Sequence, residues 1–89
     1  MDNSVIAFRT EFKNNLIEWL QMKNKTSEDI DDNEPLFGNG LGLDSLDAVE
    51  IVIMLQRKYN IPQKDIESRK EIFATLATLS DYVQEKSGR

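Results

Sequence analysis

Ser45 is the side chain whose type and placement offer the most chemistry: a hydroxyl between Asp44 and Leu46, at the end of a glycine-punctuated run and at the start of a long apolar stretch. A serine hydroxyl either attacks as a nucleophile or is itself esterified by another enzyme. The first role needs a base to take its proton, usually histidine, and the 89-residue chain has none. If the stretch after Ser45 is helical, Lys58 lies more than roughly three turns away, and nothing else pairs with the serine in sequence. The chain has no cysteine either, so any thiol it uses arrives on an added group. Disulfides, imidazole bases and the commonest zinc ligands are excluded together. Ser45 reads as a substrate for modification, and the plainer account of it, a second capping serine beside Asp44, stays open on the residues alone.

Asp44, Asp47 and Glu50 recur at spacings of three, which puts them on one face of a helix beginning at Ser45. They are either an ordinary solvated face or a docking strip for Arg and Lys of a partner. Their place beside Ser45 and a net charge of the same sign favour docking. Farther along, Gln56, Arg57 and Lys58 break the acidic pattern. Asp29, Asp31 and Asn33 have calcium-loop spacing, but Glu34 replaces the required glycine and Gly40 stands where a bidentate Glu is needed, so no metal site is expected. Gly38, Gly40 and Gly42 follow no strand and precede no P-loop lysine, which argues against a nucleotide loop.

The elements that must position Ser45 are helical. From Ser4 to Lys23 the residues Val5, Phe8, Phe12, Leu16, Trp19 and Leu20 recur at three and four, one face of a first helix that Asn3 or Ser4 would cap. A polar stretch from Asn24 to Glu34, then Pro35 and the glycines, makes a long loop, with Leu36, Phe37, Leu41 and Leu43 expected to pin it to the core. Ser45 to Tyr59 is apolar around much of its girth and is expected to be the most buried helix, capped by Asp44 and ended at Asn60-Ile61-Pro62. Gln63 to Glu71 is either a short helix or a loop. Thr75 is expected to cap a last helix with the stripe Leu76, Leu79, Tyr82 and Val83, and Ile72 and Phe73 to pack beneath its entrance. The fold class is all-α, a three- to four-helix bundle forming one domain over residues 1–89, with the last few residues disordered.

Eleven Lys and Arg against sixteen Asp and Glu give a net charge of -5, which disfavours nucleic acids and anionic lipid surfaces. No apolar stretch approaches the roughly 20 residues that span a bilayer, and the N-terminus lacks a signal-peptide pattern, so a cytoplasmic location is expected; separately, a monomer without stable membrane insertion is expected. The hydrophobic share of 39% is enough for one modest core in a chain of this length.

The run Leu36-Phe37-Gly38-Asn39-Gly40-Leu41-Gly42-Leu43-Asp44-Ser45-Leu46-Asp47 closely resembles the phosphopantetheine attachment region of acyl carrier proteins. The resemblance extends over the whole chain: a first helix, a long loop, a helix starting at the serine, a short third segment, and a last helix introduced by Phe73-Ala74-Thr75-Leu76. It implies that Ser45 receives 4'-phosphopantetheine from coenzyme A, with Asp44 matching the family's acidic residue before the site and Leu46 the hydrophobic residue after it. The protein would then be a carrier of acyl thioesters for fatty-acid or polyketide-type biosynthesis, not an enzyme. Its partners would be a phosphopantetheinyl transferase, an acyl-loading ligase or transferase, and a ketosynthase with other acyl-processing enzymes. Family behaviour also suggests an acyl pocket from Val49, Ile53, Met54, Phe73 and Leu76, with Ile72 and Leu79 nearby, although each alone is better explained as core. The form of the run is similar to carriers of aryl polyene and related specialised pathways. A peptidyl or D-alanyl carrier, and an unmodified helical interaction module, remain the alternatives.

Overall fold

The computed structural model describes residues 3–38 and 40–88. Four α-helices follow one another in this range: α1 (Asn3–Trp19), α2 (Ser45–Tyr59), α3 (Gln63–Glu67) and α4 (Leu76–Ser87). Tight 3-10 turns stand at Ser27–Asp29 and Lys70–Phe73. The described residues contain no strand, and two isolated bridges, Pro35 with Thr75 and Phe37 with Leu43, tack the long loop in place. This is an all-α bundle with a long connection between the first two helices, as the sequence pattern implies. At the chain end, where disorder is expected, Ser87 closes α4 and Gly88 caps it, while Arg89 lies outside the described residues.

Phe8, Phe12 and Leu16 are the buried stripe of α1, and the Tyr59 ring packs 5.9 Å from Phe8 and 6.0 Å from Phe12, tying α1 to the end of α2. The helix stops earlier than the apolar pattern suggests. Gln21 adopts a left-handed conformation (φ 53°), Met22 N–H reaches back to the Ile17 carbonyl, and Gln21 N–H to that of Glu18, the Schellman arrangement that satisfies a helix C-terminus. Trp19 and Leu20 still pack on the core from its final turn and exit. Asn3 and Ser4 both lie inside α1, so its cap falls outside the described residues.

The long loop is held at several points. Leu36 and Leu43 are buried, and Phe37 and Leu41 are half-buried against the core, the pinning that four apolar residues among glycines imply. A further anchor, Ile30, is hidden in the polar stretch and is 2% exposed. Leu41 N–H donates to the Pro35 carbonyl and Leu43 N–H to that of Leu36. A Cβ at position 40 would collide with the Pro35 carbonyl oxygen, so this close return needs Gly40.

A charged cluster fastens the same loop to both outer helices. Arg9 of α1 donates to Asp32 of the loop at 3.0 Å and to Asp81 of α4 at 3.0 Å, and Lys13 pairs with Asp32 as well. Lys13, and then Arg9, hold the Asp32 carboxyl below its ordinary range against the opposing pull of burial. For Arg9 burial alone would lower the pKa, but its bonds to Asp81 and Asp32 together raise it. The Asp32 carbonyl also accepts from Ala77 N–H at 2.8 Å, in the first turn of α4.

The polar stretch from Gln63 to Glu71, open on sequence between a short helix and a loop, resolves into both kinds of structure. Residues 63–67 form α3 with Ile66 buried, and Ile72 and Phe73 sit in a 3-10 turn before α4. One expectation needs correction: α2 is not the most buried helix. Leu46 and Val49 are 74% and 57% exposed, whereas Leu76, Leu79, Tyr82 and Val83 of α4 are all buried. The side of α2 that carries Leu46 and Val49 is left largely open.

Candidate functional site

Why α2 begins at Ser45 is plain from its cap. Asp44 is extended (φ -119°, ψ -173°), its Oδ1 accepts from Asp47 N–H at 3.0 Å, and Asp47 Oδ2 accepts from Asp44 N–H at 3.0 Å. This reciprocal box is worth on the order of 1 kcal/mol to the helix. It consumes the third N–H of the turn and leaves those of Ser45 and Leu46 without an intrahelical carbonyl.

Ser45 itself is exposed, and its hydroxyl takes no hydrogen-bond partner among the described residues. It is therefore not a capping serine; Asp44 caps. The hydroxyl stands where open N–H groups and the helix dipole favour a phosphate, so the residues present fit a phosphodiester there. No base is hydrogen-bonded to it among the described residues: the chain lacks histidine, Lys58 stands in the last turn of α2, and the neighbouring Asp44 and Asp47 carboxylates accept from backbone N–H groups instead. The geometry suits a hydroxyl offered to another enzyme's active site.

The three acidic candidates do not stand alike. Asp44 and Asp47 are fixed by each other's backbone, and Glu50 accepts from the Trp19 indole N–H at 3.0 Å, a bond across to the end of α1 that the sequence spacing does not reveal. Asp44 and Glu50 are exposed and Asp47 half-buried, so each keeps unused carboxylate lone pairs. Leu46 and Val49 form an exposed apolar surface beside the serine.

Val49 also begins a groove between α2 and α3, of about 430 Å³, that runs along Val52 and Ile53 and is faced by Ile66 and Phe73, with Gln56, Gln63, Glu67 and Lys70 on its rim. Of the five pocket candidates, the structure brings Val49, Ile53 and Phe73 together here. Met54 and Leu76, both 0% exposed, are sunk in the core and do not line it. Ile72 and Leu79 are likewise core. Phe73 meets Phe37 of the loop with ring centroids 6.4 Å apart, joining the groove to the segment that leads to Ser45. Val52 and Ile66 escape the sequence reading; their signal, an apolar residue on each of two facing helices, needs the position of α3 to be read.

No helix among the described residues is long and apolar enough to cross a membrane. The sequence matches a family model described as "Phosphopantetheine attachment site" over residues 12–84, a span that contains the whole of α2. It is 35% identical over 79 residues to a protein named acyl carrier protein from Wolinella succinogenes, covering 89% of this chain and 92% of that one. No solved structure matches the chain.

Proposed function

This chain belongs to the acyl carrier protein family, and on that premise we propose that Ser45 is the residue that receives its 4'-phosphopantetheine arm. As a member of that family it is a carrier and not an enzyme, and its partners include a phosphopantetheinyl transferase and acyl-processing enzymes. The observation that supports Ser45 is its exposure: a hydroxyl without a hydrogen-bond partner among the described residues, at the open first turn of α2, inside the span that matches the family. When bound, the arm supplies the thiol that the cysteine-free chain lacks, on which acyl groups ride as thioesters.

The chain's own residues then divide the work. Asp44 sets the start of α2 and so fixes where the hydroxyl points, while the Ser45 and Leu46 N–H groups face the linkage. Leu46 and Val49 offer an apolar contact to the enzyme that approaches Ser45, with Asp44, Asp47 and Glu50 drawing a cationic surface towards it. The groove of Val49, Val52, Ile53, Ile66 and Phe73 is the shelter for a short acyl chain. Loading by a ligase or transferase and use by a ketosynthase complete this reading.

The test is a mass measurement. Incubation with coenzyme A and a promiscuous phosphopantetheinyl transferase should add the mass of one phosphopantetheine ester, and the Ser45→Ala protein should gain nothing. A gain that persists in Ser45→Ala, or no gain under conditions that modify a control carrier, would sink the assignment.

A further inference from the structure

The groove between α2 and α3 changes character along its length. Val49, about one turn from Ser45, opens it, and the α2 wall stays apolar through Val52 and Ile53. At Gln56 that wall turns to an amide, about 10 Å of helix beyond Val49. The opposite wall ends the same way. Phe73, against Phe37 of the loop that leads to Ser45, marks the serine end, and Gln63, the first residue of α3, stands against Gln56 at the other.

The two glutamines differ from a solvated rim. Gln56 is half-buried where its neighbours Arg57 and Lys58 are exposed, so its amide turns to the groove. Its Nε2 donates to Gln63 Oε1 over a long 3.5 Å, while Gln63 Nε2 donates to Glu67 at 2.7 Å. The Gln56 carbonyl oxygen and second N–H therefore have no partner among the described residues, and a donor and an acceptor stand open at one spot. The charged members of the lining are Glu67 and Lys70, one of each sign, so the far end favours neither an anion nor a cation.

Resting on the carrier reading of Ser45, we propose that the groove selects acyl cargo that is apolar along its chain and carries an uncharged hydrogen-bonding group, a hydroxyl, carbonyl or amide, at its distal end. Gln56 and Gln63 set this specificity. A chain that follows α2 from Val49 lays its methylenes on Val52, Ile53 and Ile66 and brings its tip to the two amides. A plain alkyl chain of the same length puts a methyl group there instead, which displaces water from the amides and returns no hydrogen bond. The groove volume of about 430 Å³ holds one such chain and little more.

The probes are two cargoes with equal numbers of non-hydrogen atoms, nonanoyl and ω-hydroxyoctanoyl, installed from the corresponding acyl-coenzyme A by a promiscuous phosphopantetheinyl transferase. Denaturant unfolding of the two loaded forms gives a ratio of unfolding constants in which the protein's own stability cancels. The hydroxyl-tipped cargo should stabilise the wild-type protein at least as much as nonanoyl, and Gln56→Leu/Gln63→Leu should move the ratio towards nonanoyl by roughly fivefold to tenfold. In the wild-type protein the ω-methylene protons should also show nuclear Overhauser contacts to the side-chain amides of Gln56 and Gln63, a reading independent of how the variant folds. A wild-type preference for nonanoyl, a ratio unmoved by the double substitution, or a tip in contact with neither amide overturns the proposal. Intact mass reports separately on the carrier reading: a Ser45 that takes neither arm sinks that reading, whereas a protein that takes both and fails the comparison loses the selection alone.

Discussion

The starts of α2 and α4 are built alike and end up doing different things. Each has a reciprocal capping box: Asp44 with Asp47, and Thr75 with Thr78, whose Oγ1 atoms accept from the opposite backbone N–H at 3.1 and 3.0 Å. At α4 the protein then uses up the turn. Ala77 N–H donates to the Asp32 carbonyl at 2.8 Å, and the residue after the cap, Leu76, is 0% exposed. At α2 the corresponding residue is Ser45, exposed, and Leu46 beyond it is 74% exposed. Capping starts a helix in both places; what lies on top of the first turn decides whether that turn is structure or site.

The sharpest way to break this comparison is to truncate the residue after each cap. Leu76→Ala empties a filled core position and should cost about 2–4 kcal/mol in denaturant unfolding. Ser45→Ala should change stability by less than about 0.5 kcal/mol while abolishing modification. A Ser45→Ala protein destabilised as much as Leu76→Ala would mean that the α2 start is structural too.

The segment that closes over α4 but not α2 is the loop around Asp32, and it can be loosened by acid. Its carboxyl is held below the ordinary value of 3.8, chiefly by Lys13. A depressed folded-state pKa contributes stability that is present above the unfolded value and is lost as pH falls through the folded one, so this contribution should fade below about pH 4. Asp32→Asn should cost about 1–2 kcal/mol at neutral pH and flatten that part of the pH profile. Unchanged acid sensitivity in Asp32→Asn would remove the cluster as the cause.

Removing each cap is a finer test. Asp44→Ala and Thr75→Ala should each cost about 1 kcal/mol, since each deletes one side-chain bond to the third N–H of its helix. The effect on transferase kinetics should separate them. Asp44→Ala frays the turn that presents Ser45 and should lower kcat/KM for modification several-fold, whereas Thr75→Ala should leave it nearly unchanged. Equal loss in both would show that the transferase senses global stability and not the local turn.

Much of this contrast can be read from the residues, and the unreadable part has identifiable reasons. The stripes of α1 and α4 have helical period and their inner members are buried, and the hydroxyl of Ser45 announces itself by its glycine-rich approach. The anchor Ile30 sits alone among polar residues, where one apolar side chain has no period. Residues 63–67 are too few to show a period either, and without α3 nothing tells which side of the apolar α2 is covered. That is why Met54 and Leu76 group with the groove on sequence although they lie in the core, and why Val52 and Ile66 do not stand out. The bond from Trp19 to Glu50 joins positions 31 residues apart, which local spacing cannot supply.

That bond gives the smallest and most discriminating test. Glu50 shares the acidic face with Asp47, but its carboxylate is engaged by the end of α1 and lies nearly two turns from the cap. Trp19→Phe keeps an aromatic ring on the core and deletes the indole N–H, so unfolding should change by less than about 1 kcal/mol. If the open first turn governs recognition of Ser45, the modification rate should shift by less than about twofold, because Asp44, Asp47 and the two free N–H groups are untouched. A larger change would place the recognition determinant on the face shared by α1 and α2, and the contrast between the two helix starts would then describe how Ser45 is displayed without explaining how it is chosen.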